Sequence, residues 1–153
     1  MPARRVIALT ILLLLLPATV CAAVTPRGCD FTMPGHGPIP ARPWLQVRDE
    51  AGFVGTRYRF AIYAGDLWRY VPGNAAEQVS GKLDTTEARA FEHLLIERNV
   101  FRLVSIPQEK KDAALVCISA EIDGRQVLAK IRGDDPFAVM LRAEIDRIIQ
   151  SGR

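Results

Sequence analysis

The sequence predicts an α+β fold, a two-layer sandwich in which a mostly antiparallel sheet of four to six strands carries two helices on one face. Three observations lead there. Short stretches alternating with period two, separated by glycine and aspartate turns, fill 44–83 and 113–131. Two segments with apolar residues at helical spacing, each opened by an acidic cap, begin near Asp84 and Asp134. The elements run hairpin-strand-helix and then hairpin-helix, an order that suits an antiparallel sheet with helices on one face.

Each element has its own signal. Trp44 to Arg48 reads as a short strand ended by Asp49-Glu50-Ala51-Gly52. Arg57 to Tyr63 and Leu67 to Val71 are rich in aromatic residues and flank Gly65-Asp66, which reads as a two-residue hairpin turn. Val79, Gly81 and Leu83 alternate with polar neighbours as a fourth strand. Asp84-Thr85-Thr86-Glu87 has the spacing of a capping box, and Ala88, Phe91, Leu94 and Leu95 give the following helix its apolar stripe. Asn99 suits the left-handed position after its last turn. Gln108 to Asp112 reads as a solvated loop.

Ala113 to Ile122 and Arg125 to Ile131 form a second hairpin around Asp123-Gly124. The run Ala114-Leu115-Val116-Cys117-Ile118 suits a strand buried on both faces. Asp134-Asp135-Pro136 then opens the last helix, with an acid cap and proline in the first turn, where a missing N–H costs nothing. Phe137, Leu141, Ile145, Ile148 and Ile149 line one side of it.

The chain divides into a leader (1–23), a Pro/Gly-rich irregular arm (24–43) and a single domain (44–153). Arg4 and Arg5, an apolar run from Val6 to Leu16, Pro17 and small residues through Ala23 make the layout of a cleaved signal peptide. A periplasmic or secreted destination follows. The alternatives are a retained membrane anchor, with Val6 to Val24 uncharged, or lipidation at Cys21; only these would make a membrane a partner. The formal charge of +3 includes Arg4 and Arg5, so the remainder carries +1, which gives no support for nucleic acid as a partner. Cys29 and Cys117 then form an even pair, expected as a disulfide in an oxidising compartment, with two unpaired buried thiols as the alternative.

The run Gly55 to Tyr70, followed by Gly81-Lys82-Leu83, a helix and Phe101-Arg102-Leu103, resembles a family of small exported bacterial domains of unknown function. The resemblance covers about residues 53–150, with Thr56-Arg57 where that family carries Cys-Pro. It implies the fold and a bacterial origin, and no active-site residue.

Catalytic constellations are scarce. His36 lies in the arm, where an exposed imidazole could hold a metal or simply be solvated. His93 follows Glu92 away from the apolar stripe and reads as a surface residue. No metal site and no cofactor are expected, because two histidines and a bonded cysteine pair supply too few ligands. Ser80, Ser105 and Ser119 lack a glycine-flanked elbow.

One face stands out. With a two-residue Gly65-Asp66 turn, Tyr63 lies opposite Trp68 and Ala61 opposite Tyr70, which gathers Arg57, Arg59, Tyr63, Trp68 and Tyr70 on one side. Arginine, tyrosine and tryptophan dominate interface hot spots. The sequence therefore supports a non-catalytic exported protein binding a macromolecular partner in the cell envelope, with an inhibitor or immunity role suiting its size. The competing explanation of that face is cover by the arm and Trp44. The alternative function is a small exported hydrolase using His36 or the Asp134-Asp135 pair.

Overall fold

The computed structural model describes residues 28–34, 42–73, 77–107 and 113–152. The leader, most of the arm including His36, and the Gln108 to Asp112 stretch lie outside them. Strand β1 (Pro43–Ala51), β2 (Thr56–Tyr63), β3 (Leu67–Pro72) and β4 (Val79–Lys82) run as a meander. Helix α1 (Thr85–Glu97) carries the chain back across the sheet to β5 (Ala114–Ile122) and β6 (Arg125–Arg132), and α2 (Pro136–Ser151) closes it. The six strands take the order β4-β3-β2-β1-β5-β6, every neighbour antiparallel.

Local chemistry places the ends of these elements as expected. The Glu87 amide donates to Asp84 at 2.8 Å and the Glu87 carboxylate accepts from the Asp84 amide, so α1 has its capping box. Asn99 adopts φ 60°, and Val100 behind it is fully buried. Asp135 accepts from the Phe137 amide at 2.8 Å, with Pro136 in the first turn of α2. Asp123 and Gly124 both have positive φ (50° and 70°), the conformation a two-residue hairpin turn requires, and Ile122 pairs with Arg125.

Both helices pack on one face of the sheet. Phe91 and Leu95 of α1 and Leu141, Ile145 and Ile148 of α2 form a single core with Leu45, Val47, Phe60, Ile62, Trp68, Val116 and Ile118 of the strands. The other face carries the described part of the arm, held by a disulfide between Cys29 and Cys117. Gln46 Nε2 donates to the Phe31 carbonyl and Arg48 Nη1 to that of Asp30, each at 3.2 Å, which lays the arm across β1. The bridge to the arm covers Cys117, which is as buried as Val116 and Ile118 on the helix side. At the β6 edge, the Lys130 amide donates to Ser105 Oγ at 3.1 Å and the Lys130 carbonyl accepts from Ile106 at 2.9 Å. The segment after α1 thereby satisfies an edge that would otherwise invite strand addition.

The β2–β3 hairpin corrects the expected register. Its loop is Ala64-Gly65-Asp66, three residues long, with Gly65 at φ 79° and Asp66 at φ 63°. Ile62 therefore pairs with Trp68, Ala61 with Arg69 and Phe60 with Tyr70. A slip of one residue turns every side chain of a strand to the other face. Trp68 and Tyr70 consequently point to the helices, and Leu67, Arg69 and Val71 join Arg59, Ala61 and Tyr63 opposite.

The physical reason is burial. Trp68 is 1% exposed and stacks on Phe60 with ring centroids 6.3 Å apart. Removing such a ring from water takes away roughly 150–250 Å², worth about 4–6 kcal/mol as an upper figure. The expected register would leave that ring outside and turn the Arg69 guanidinium into the apolar layer.

Gly81 is part of the same fit. A Cβ there would sit 2.6 Å from Cζ2 of Trp68, so the indole occupies space that only glycine leaves. Gly81→Ala is expected to cost about 1–3 kcal/mol by forcing the ring out of place. Urea denaturation checks this, and an unchanged midpoint would contradict the packing.

Candidate binding face

The sheet face away from the helices is built from alternate residues of all six strands. On β2 these are Arg59, Ala61 and Tyr63; on β3, Leu67, Arg69 and Val71; on β4, Ser80 and Lys82. β1 adds Gln46, Arg48 and Glu50, while β5 and β6 add Cys117 and Lys130. The arm crosses the β1–β5 half. The β2–β3–β4 half holds Arg59, Arg69 and Lys82 without a carboxylate in ion-pair range among the described residues.

Of the residues expected together, the structure keeps Arg59 and Tyr63 on this face and removes Trp68 and Tyr70. Tyr70 is half-buried on the helix side, its ring 5.4 Å from that of Tyr58. Trp68 is 1% exposed and still borders the cleft beside Tyr63. Arg57 sits at the end of the sheet, beside an irregularity in the β1–β2 pairing. It is half-exposed and reaches Asp49 at 3.6 Å, yet lines one shallow groove with Arg59, Thr56, Val54 and Pro72.

The cations differ in how well they are satisfied. Arg48 pairs with Glu50 at 2.9 Å and donates to the arm, though its Nε too is buried without a hydrogen-bond partner. Arg59 leaves Nε without a hydrogen-bond partner, and Arg69 leaves Nη1 without one although only 8% of the residue is exposed. Asp30, on the arm, has its carboxyl held below the usual range first by hydrogen bonds from Thr32, with smaller help from Arg48 and Arg59. Burial pushes the Tyr63 hydroxyl above its ordinary value, and the charge of Arg69 partly offsets that.

Two residues that the sequence left unmarked are the most tightly engaged. Asp49, expected at the polar end of a strand, lies inside β1, fully buried on the helix side. Arg142 of α2 grips it with two bonds, Nε to Oδ2 at 2.7 Å and Nη2 to Oδ1 at 3.0 Å, and also donates to the Gly133 carbonyl. The bond to Asp49 holds the Arg142 guanidinium above its ordinary pKa. Beside them the Tyr58 hydroxyl has no hydrogen-bond partner, and burial, followed by the Asp49 charge, raises it well above the usual phenol range. These groups join α2 to the sheet from within.

The other chemical candidates are otherwise occupied. Asp134 is bound by Arg132, Nε to Oδ1 at 2.9 Å, and Asp135 caps α2. His93 is exposed and faces Glu97 at 3.4 Å. Among the described residues no cluster of three or more His, Cys, Asp or Glu could hold a metal ion, and no helix is long and apolar enough to cross a membrane. Comparison with family models, with curated proteins and with solved structures finds no match for this chain.

Proposed function

We propose that this is an exported, non-catalytic binding domain that holds an acidic protein partner on the helix-free half of its sheet. The observation that carries the reading is the concentration of unpaired cations there: Arg59, Arg69 and Lys82 meet no carboxylate in ion-pair range among the described residues, and Arg59 Nε and Arg69 Nη1 lie beneath the surface without an acceptor. Charge complementarity selects the partner. Complementary potentials steer encounter and suppress wrong partners, and arginine contributes planar, bidentate bonds to carboxylates.

Export rests on the leader layout, and the Cys29–Cys117 bridge is compatible with an oxidising compartment. A periplasmic or envelope location, and an inhibitor or immunity role, suit a domain of this size whose conspicuous chemistry is recognition.

The test is a double variant that removes two positive charges, Arg57→Gln with Arg59→Gln, in a periplasmic cross-linking pull-down read by mass spectrometry. Capture of an acidic protein by the native chain and at least a tenfold loss in the variant, at unchanged thermal midpoint, is the expected outcome. Equal capture by both proteins would refute the face as the docking surface.

A further inference from the structure

We propose that the cleft around Arg69 is a carboxylate-binding site, filled by an acidic side chain of the partner's docking segment; the inference rests on the binding role proposed above for this face. The cleft has a volume of about 400 Å³ and is bordered by Tyr63, Leu67, Trp68, Arg69, Ser80 and Lys82. Its size matches a side-chain-sized guest.

The unusual member is Arg69. A guanidinium this buried is normally paired, because taking a charge from water without a partner is costly. Arg69 lines the cleft while its Nη1 lies beneath the surface without an acceptor, and no acidic side chain reaches the guanidinium among the described residues. Strand pairing sets Ser80 directly across from Arg69, and Lys82 is its diagonal neighbour on the same face. A hydroxyl and a second cation thus stand beside the guanidinium, with the Tyr63 ring closing the adjacent side.

Ligand class follows from the walls. The donors are few and the remaining surface is Leu67 and aromatic ring. A planar carboxylate on an apolar stem matches one guanidinium fork plus one hydroxyl, and such pairs form two parallel charge-assisted bonds. Leu67 gives apolar contact to the stem of a carboxylate side chain, which inorganic phosphate lacks.

The experiment uses the disulfide-bonded protein and a fluorescein-labelled peptide of alternating glutamate and leucine, read by anisotropy, with a lysine-leucine peptide as control and inorganic phosphate as competitor. The expected result is salt-sensitive binding of the glutamate peptide alone, weakened at least tenfold by Arg69→Met, partly kept by Arg69→Lys, and resistant to phosphate. The thermal midpoint of Arg69→Met should equal or exceed that of the native protein, since an unpaired buried charge is removed; a lowered midpoint would make Arg69 structural and overturn the proposal. Undiminished binding by Arg69→Met, displacement by phosphate, or no binding by the native protein would each overturn it as well. If Arg69→Met binds the peptide normally while Arg57→Gln/Arg59→Gln loses the partner, the cleft assignment fails and the face stands. The reverse pattern, peptide binding lost in Arg69→Met and capture kept in the double variant, leaves the cleft as a carboxylate site and removes Arg57 and Arg59 from the docking surface.

Discussion

Replacing Arg142 by methionine is expected to destabilise the fold by about 3–5 kcal/mol, lowering the thermal midpoint by roughly 10–20 °C. Asp49 has no exposed surface, so losing its guanidinium partner strands a carboxylate in the apolar layer between sheet and α2. Arg57, at 3.6 Å and half in solvent, cannot replace two short bonds from Arg142. The Tyr58 hydroxyl lies nearby without a partner, and a lone donor does not neutralise the charge. Substituting both partners, Asp49→Leu with Arg142→Met, should restore most of the loss, because an apolar pair of similar volume carries no desolvation cost. Urea titration of the two single variants and the double variant completes the cycle. A single-variant loss below about 1 kcal/mol would mean that water reaches Asp49.

Removal of the disulfide, Cys29→Ala with Cys117→Ala, is expected to cost about 4–5 kcal/mol, since the bridge closes a separation of 88 residues. The estimate treats the effect as lost constraint on the unfolded chain. The sheet should survive, because the strand pairing around Cys117 belongs to β1, β5 and β6 and not to the arm. What is released is the segment 28–34, left with the Gln46 and Arg48 side-chain bonds to its carbonyls. Limited proteolysis should then clip the chain ahead of β1 while the remaining domain stays folded. In the native protein the intact mass should be two hydrogens lower before reduction than after. Equal unfolding midpoints with and without the bridge would show that the arm contributes nothing to stability.

How much of this was readable beforehand depends on how local each cause is. The capping box at Asp84, the left-handed Asn99, the Asp123-Gly124 turn and the Asp135-Pro136 start of α2 are decided within a few residues, and all were legible. The cysteine pair was legible from the count of two beyond the leader, on the expectation of an oxidising compartment. The β2–β3 register was not, because Gly65-Asp66 is compatible with a two-residue or a three-residue loop. What decides between them is room for the Trp68 ring over Gly81 and beside Gly152 at the far end of α2. The size of Trp68 was the available signal: the largest apolar side chain of a strand gains most from the covered face.

Asp49 escaped for a related reason. Its partner lies 93 residues along the chain, and a carboxylate at a strand end ordinarily meets water. Arg69 went unremarked because the expected register gave it no place on the open face. Once the register moves by one, Arg69 replaces Trp68 and Tyr70 as the chemically informative residue of β3, beside Arg59 and Tyr63.

Site-specific photo-cross-linking compares the two sides of the molecule most directly. A photo-reactive residue placed at Lys82 reports on the helix-free sheet face, and one at Arg89 on the exposed side of α1. The expected result is an adduct with an acidic protein from position 82, lost when Arg59 is neutralised, and none from position 89. Adducts from position 89 alone would put the docking surface on the helices and contradict it.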